Sequence, residues 1–95
     1  MNNYESMIII DPTISKEAAD KVNKELLTFL RENEAEIIET DVWGKRKLAF
    51  EINNFKEGYY FINYFKLEPK KVTQLDRYYK LSQKIFRNNI LIKEN

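Results

Sequence analysis

The chain has 95 residues, with 16 Lys and Arg against 15 Asp and Glu, and contains neither Cys nor His. That length predicts one domain, and 43 % apolar with 33 % charged residues is the composition of a folded globular protein rather than a disordered one. Without Cys or His there is no disulfide framework, thiol nucleophile, common zinc site or imidazole base, so neither catalysis nor a metal or cofactor is expected.

Residues 4–10 read as a first strand, because Tyr4, Ser6, Ile8 and Ile10 fall on one face at a period of two and Asp11-Pro12 breaks the run. Met7 and Ile9 then lie on the opposite face. Ser15 is a candidate N-cap and Glu17 suits the positive end of a helix dipole, while Ala18, Ala19, Val22, Leu26, Phe29 and Leu30 recur at helical spacing. The spacing predicts an amphipathic helix over residues 16–33.

Residues 36–53 are strand-like, interrupted by Gly44, which predicts a bulge or kink in one long strand. Residues 53–58 supply turn chemistry, and residues 59–67, with five aromatics among nine, complete a predicted hairpin. Pro69 suits the first turn of a second helix carrying Val72, Leu75 and Tyr79 on one stripe. Residues 85–93 read as a last strand, although Asn88, Asn89 and, in the hairpin, Asn63 stand where alternation calls for apolar side chains on one face or the other.

The resulting order, βαββαβ, predicts an α+β ferredoxin-like fold in which two helices cover one face of a four-stranded antiparallel sheet. Either phase of the hairpin strand is apolar: Tyr59, Phe61, Asn63, Phe65 and Leu67 form one row, and Tyr60, Ile62, Tyr64 and Lys66 the other. An apolar second face on a small protein implies that a partner covers it. No run approaches the roughly 20 apolar residues of a bilayer span, and the first residues lack the regions of a signal peptide, so a cytosolic protein without a membrane partner is expected.

The near-zero charge conceals an asymmetry. Residues 1–41 sum to −6 and residues 42–95 to +7, and of thirteen aromatics only Tyr4 and Phe29 precede Val42. Cations interleaved with aromatic rings suit RNA, where the former meet phosphates and the latter stack on unpaired bases.

Two segments carry resemblances. Gly58-Tyr59-Tyr60-Phe61-Ile62-Asn63-Tyr64 resembles the RNP1 strand of RNA-recognition motifs, which would turn Tyr59 and Phe61 outward onto bases; Glu57 and Tyr60 depart from that pattern. Trp43-Gly44-Lys45-Arg46-Lys47-Leu48-Ala49-Phe50-Glu51-Ile52 resembles the signature of the bacterial small-subunit ribosomal protein six family. The likeness extends to Tyr4-Glu5, Asp11-Pro12, Glu57-Gly58-Tyr59-Tyr60, Glu68-Pro69 and Arg87, with Phe50 where the signature commonly has Tyr.

This second resemblance implies a structural protein that binds the central domain of small-subunit rRNA together with ribosomal protein eighteen, without any small-molecule substrate. The residues expected at RNA are Lys45, Arg46, Lys47 and Arg87, followed by Lys56 and Lys84, and those expected at the protein partner are Tyr60, Ile62 and Tyr64. On an ideal strand Arg46 points opposite to Lys45 and Lys47. The cations at 70, 71, 77 and 80 are expected on a solvated helix face, and the carboxylate pairs Glu36/Glu39 and Glu34/Asp41 on the surface.

Overall fold

Six elements follow the first residue in the predicted order: β1 (Asn2–Ile10), α1 (Lys16–Glu32), β2 (Glu36–Ile52), β3 (Phe55–Leu67), α2 (Val72–Leu81) after a short 3-10 turn at Pro69–Lys71, and β4 (Ile85–Lys93). This computed structural model describes residues 1–93. Local chemistry accounts for the boundaries. The Asp11 carboxylate accepts from the backbone N–H and hydroxyl of Thr13, turning the chain out of β1, and the Ser15 hydroxyl accepts from the Ala18 N–H at 3.1 Å to cap α1. α1 ends in a Schellman arrangement: Glu34 N–H reaches the Arg31 carbonyl, Ala35 N–H reaches that of Leu30, and Glu34 takes φ +65°.

The hairpin turn is tighter than the composition of residues 53–58 suggests. Asn53 and Asn54 alone form it, with φ of 52° and 68°, while Ile52 pairs with Phe55. Two central residues with positive φ match the right-handed twist of the strands, and Asn tolerates that conformation. Residues 55–58 therefore extend β3 rather than belonging to the loop.

The sheet runs β2-β3-β1-β4 with every neighbour antiparallel, and both helices lie against one face. Tyr4, Ile8 and Ile10 of β1 and the row Tyr59, Phe61, Phe65 and Leu67 of β3 pack on Ala19, Leu26 and Leu30 of α1 and on Leu75 and Tyr79 of α2. This phase overturns the RNP1-like alternative, because Tyr59 and Phe61 face the helices at 8 % and 2 % exposure and cannot receive bases. Two polar clusters sit within this layer. The Ser6 hydroxyl bonds that of Tyr79, and Asn63 exchanges two hydrogen bonds with Asn23 while accepting a third from Thr40.

Candidate nucleic-acid interface

The opposite face carries Glu5, Met7 and Ile9 of β1, Tyr60, Ile62 and Tyr64 of β3, and Arg87, Asn89 and Leu91 of β4, as the pairings of Met7 with Ile62 and Asn89 and of Ile9 with Tyr60 and Arg87 require. β2 borders it as an edge strand. Ile9, Leu48 and Ile62 are almost fully buried yet lie outside the helix-side core, so they form a small apolar centre on this face. Gly58 leaves room for Ile9 and Leu48: a Cβ there would stand 2.5 Å from Ile9 Cγ2, with Leu48 Cδ2 at 3.7 Å over the same spot.

A bulge decides which cation of the basic triplet reaches this face. Val42 pairs with Phe61 and Gly44 with Tyr60, so Trp43 is an extra residue in β2, and Gly44 accommodates the irregularity with φ +78°. A one-residue shift exchanges the faces of every later side chain. Lys45 is thereby set opposite Tyr59, on the helix side, with its ammonium 5.2 Å from that ring, and Arg46 opposite Gly58, on the open side.

There the Arg46 guanidinium lies 5.9 Å from the Trp43 ring, and its Nε donates to the Trp43 carbonyl at 3.0 Å. Trp43 in turn stacks on Tyr60 at 6.1 Å and 20°, while its indole N–H donates to Asp41. The result is a fixed Arg–Trp–Tyr ladder. Arg87 makes a second such contact, 6.0 Å from the Phe50 ring, and among the described residues neither arginine makes an ion pair. Both keep donors free for an anionic partner.

All six predicted cations lie toward one end of the sheet, where β1 ends and the β2–β3 hairpin turns, but they do not share a face. Lys45 borders a hollow with Pro12, Thr13 and Lys56; Lys47 and Lys56 border another with Phe50; and the Lys84 carbonyl accepts from Asp11 N–H just before β4. Lys71 and Lys80 are engaged locally, with Glu34 and Asp76 respectively.

The far end of the open face is different. Glu5, Glu36, Glu39 and Asp41 are brought there by pairing with, or across from, Tyr64, Lys66 and Ile62, alongside Lys93, whose ammonium lies 4.8 Å from the Tyr64 ring. Partial burial, and then the Glu5 carboxylate, push the Tyr64 phenol above its ordinary value. Of the predicted partner row, Tyr60 and Tyr64 are half-buried whereas Ile62 is only 8 % exposed, so the phenols offer more surface than the isoleucine between them. Trp43, Phe50 and Leu91 are exposed large apolar residues on or beside this face that the residue pattern alone did not single out. Among the described residues no group of three or more Asp or Glu is placed to hold a metal ion, and no helix is long and apolar enough to cross a membrane.

The architecture defines a ferredoxin-like sandwich with a cationic, aromatic open face, and the fold alone is shared widely. The C-terminal domain of MgtC from Mycobacterium tuberculosis superposes with a TM-score of 0.65, covering 99 % of this chain and 89 % of that one at 12 % identity, a likeness of fold only. Sequence is more selective. The family described as Ribosomal protein S6 matches residues 3–91. Small ribosomal subunit protein bS6 of Desulforamulus reducens is 41 % identical over 91 residues, 96 % of each chain, and that of Cutibacterium acnes 35 % identical over 94 residues, 99 % of this chain and 98 % of the relative. The crystal structure of 30S ribosomal protein S6 from Thermotoga maritima matches with a TM-score of 0.92 at 28 % identity, covering 97 % of this chain and 87 % of that one. The chain belongs to the ribosomal protein S6 family, whose members are structural proteins of the small subunit and not enzymes.

Proposed function

We propose that this protein is a cytoplasmic scaffold of the small ribosomal subunit that binds the central domain of small-subunit rRNA together with ribosomal protein eighteen. The observation that carries the reading is the Arg46–Trp43–Tyr60 ladder: a cation held by its own backbone acceptor and a stacked ring, and in no ion pair among the described residues. Fixing a guanidinium before binding reduces the ordering cost of the contact. Arg46 and Arg87 meet phosphates or base edges at the cationic end, and Lys45, Lys47, Lys56 and Lys84 add phosphate contacts around its rim. The partner protein takes the middle and far end, over Tyr60, Tyr64, Trp43 and Leu91, where apolar surface adjoins carboxylates that suit a basic partner.

The test is binding of a central-domain rRNA fragment, with and without the partner protein, as a function of salt. Affinity should fall steeply as salt rises, and Arg46→Ala should weaken binding and reduce the slope of log K against log salt by about 1. Salt-independent binding, or an Arg46→Ala variant indistinguishable from the parent, refutes the RNA role. Size measurement of the purified protein with and without nuclease distinguishes a protein-only association from one held by RNA.

A further inference from the structure

Beyond the Arg46 ladder, the open face has a cleft of about 450 Å³ between the β2 end of the hairpin and β4, lined by Met7, Leu48, Phe50, Tyr60, Arg87 and Asn89 among others. We infer that this cleft is a receptor for a single unpaired nucleotide of RNA, with Phe50 as the stacking platform, Arg87 at the phosphate and Asn89 at the base edge. The inference rests on the RNA-binding reading above and deepens it by assigning one base a specific seat.

Four observations carry it. Phe50 is 69 % exposed where it borders this cleft of mixed polar and apolar lining, and Arg87 lies over its ring at 6.0 Å, which leaves the remainder of the ring open to a second flat partner. Asn89, paired with Met7, presents its carboxamide on the same face, and a carboxamide offers a donor and an acceptor side by side, as a base edge requires. No carboxylate lines the cleft among the described residues, so nothing there repels a phosphate. Its volume lies within the roughly 300–1,000 Å³ of small-molecule sites, enough for one nucleoside and too small for a segment of duplex. An apolar peptide side chain would fill the hollow without using Arg87 or Asn89. A splayed-out nucleotide uses all three chemistries at once.

Phe50 contributes little to the core, so its substitution is compatible with folding, which circular dichroism checks directly. With the central-domain rRNA fragment and the partner protein present, Phe50→Leu is expected to lower affinity between about 5-fold and 150-fold, the range that one stacked base supplies, without changing the salt slope. Phe50→Trp should bind at least as tightly as the parent, and Arg87→Ala should lose affinity and reduce the slope by about 1. Ultraviolet cross-linking of the parent complex, read by mass spectrometry, should join Phe50 to one nucleotide. If the parent binds the fragment while Phe50→Leu stays within two-fold of it, the nucleotide seat is refuted and the RNA reading stands. If Phe50→Leu instead weakens capture of the partner protein at unchanged RNA affinity, the cleft belongs to the protein and the inference falls. Absence of binding by the parent overturns both.

Discussion

Replacing Asn63 by Ala should be among the most damaging single changes on the helix side of the sheet. Its carboxamide donates to Asn23 Oδ1 at 2.8 Å, accepts from Asn23 Nδ2 at 3.3 Å, and accepts from the Thr40 hydroxyl at 2.8 Å, joining β3 to α1 and to β2 at once. Thr40 is half-exposed and can turn to water, but Asn23 is only 3 % exposed, so both polar atoms of its side chain lose their partners in a place water barely reaches. Each buried polar group left unsatisfied costs about 1–3 kcal/mol; with some relief from water entering the vacated space, Asn63→Ala should cost about 3 kcal/mol. Asn23→Ala should cost less, because Thr40 still serves the Asn63 oxygen. The double variant should cost less than the sum, giving a coupling of about 1–2 kcal/mol. Urea unfolding of the four proteins measures all of this, with unchanged m-values as the sign that only stability moved. Amide exchange in residues 39–43 should also rise selectively in Asn63→Ala, since Thr40 ties that stretch of the edge strand to the layer beneath. A loss below about 1 kcal/mol, or a coupling of zero, would mean the three bonds do not act as one brace.

Gly58→Ala should destabilise by about 1–3 kcal/mol, because the added Cβ meets Ile9 Cγ2, a methyl on a stiff branched side chain, with the Ile10 carbonyl close behind; thermal unfolding checks it. Glu34→Gly and Asn54→Gly should each raise stability by a few tenths of a kcal/mol up to about 1, since both positions hold positive φ and the exposed Glu34–Lys71 ion pair offsets little of the gain. A melting temperature unchanged in both would contradict the strain argument. Burial raises the Tyr79 phenol well above its ordinary value near 10, and the phenols of Tyr64 and Tyr78 shift the same way. Above that pH the unfolded chain has released protons the folded chain retains, so stability is complete below about pH 10 and falls as pH rises further. Tyr79→Phe should flatten this alkaline fall in urea titrations at several pH values, while costing about 1–2 kcal/mol at neutral pH because the Ser6 hydroxyl is left buried without its partner.

The elements were legible because their periods are clean: Tyr4, Ser6, Ile8 and Ile10 alternate, and Ala19, Val22, Leu26 and Leu30 recur at helical spacing. The choice of face for β3 was not, since both of its rows are aromatic and aliphatic. What settles it is a polar residue: Asn63 looks out of place in the row until Asn23, forty positions away, supplies its partner. Gly44 announced an irregularity, but only the pairing shows that one extra residue in β2 exchanges the faces of Lys45 and Arg46. Phe50 and Asn89 lie on segments that pair with different strands, so no local pattern could bring them to one cleft.

Under the RNA-binding role proposed above, the bulge also accounts for a basic triplet rather than a single arginine. With the earlier insertion at Ile38 kept but the one at Trp43 removed, Lys45 would take the open face opposite Gly58, and Arg46 would point to the helix side opposite Glu57. With Trp43 inserted, the residue delivered to the open face is the one with a planar group that can stack on a ring and still donate several hydrogen bonds, which an ammonium cannot do with the same geometry. The same insertion supplies the ring, since Trp43 is the extra residue and lies on Tyr60. One glycine with a left-handed backbone thus creates the platform and selects the cation placed on it, and the two flanking lysines are left to the rim, where long flexible chains can follow a phosphate backbone without fixed geometry. The acidic surplus of the first 41 residues is then consistent with the same division. Glu5, Glu36 and Glu39 lie at the far end of the open face beside Lys66 and Lys93, whereas Arg46 and Arg87 stand at the other end without such carboxylates opposite them, so under the RNA-binding role proposed above a polyanion is favoured at the arginine end.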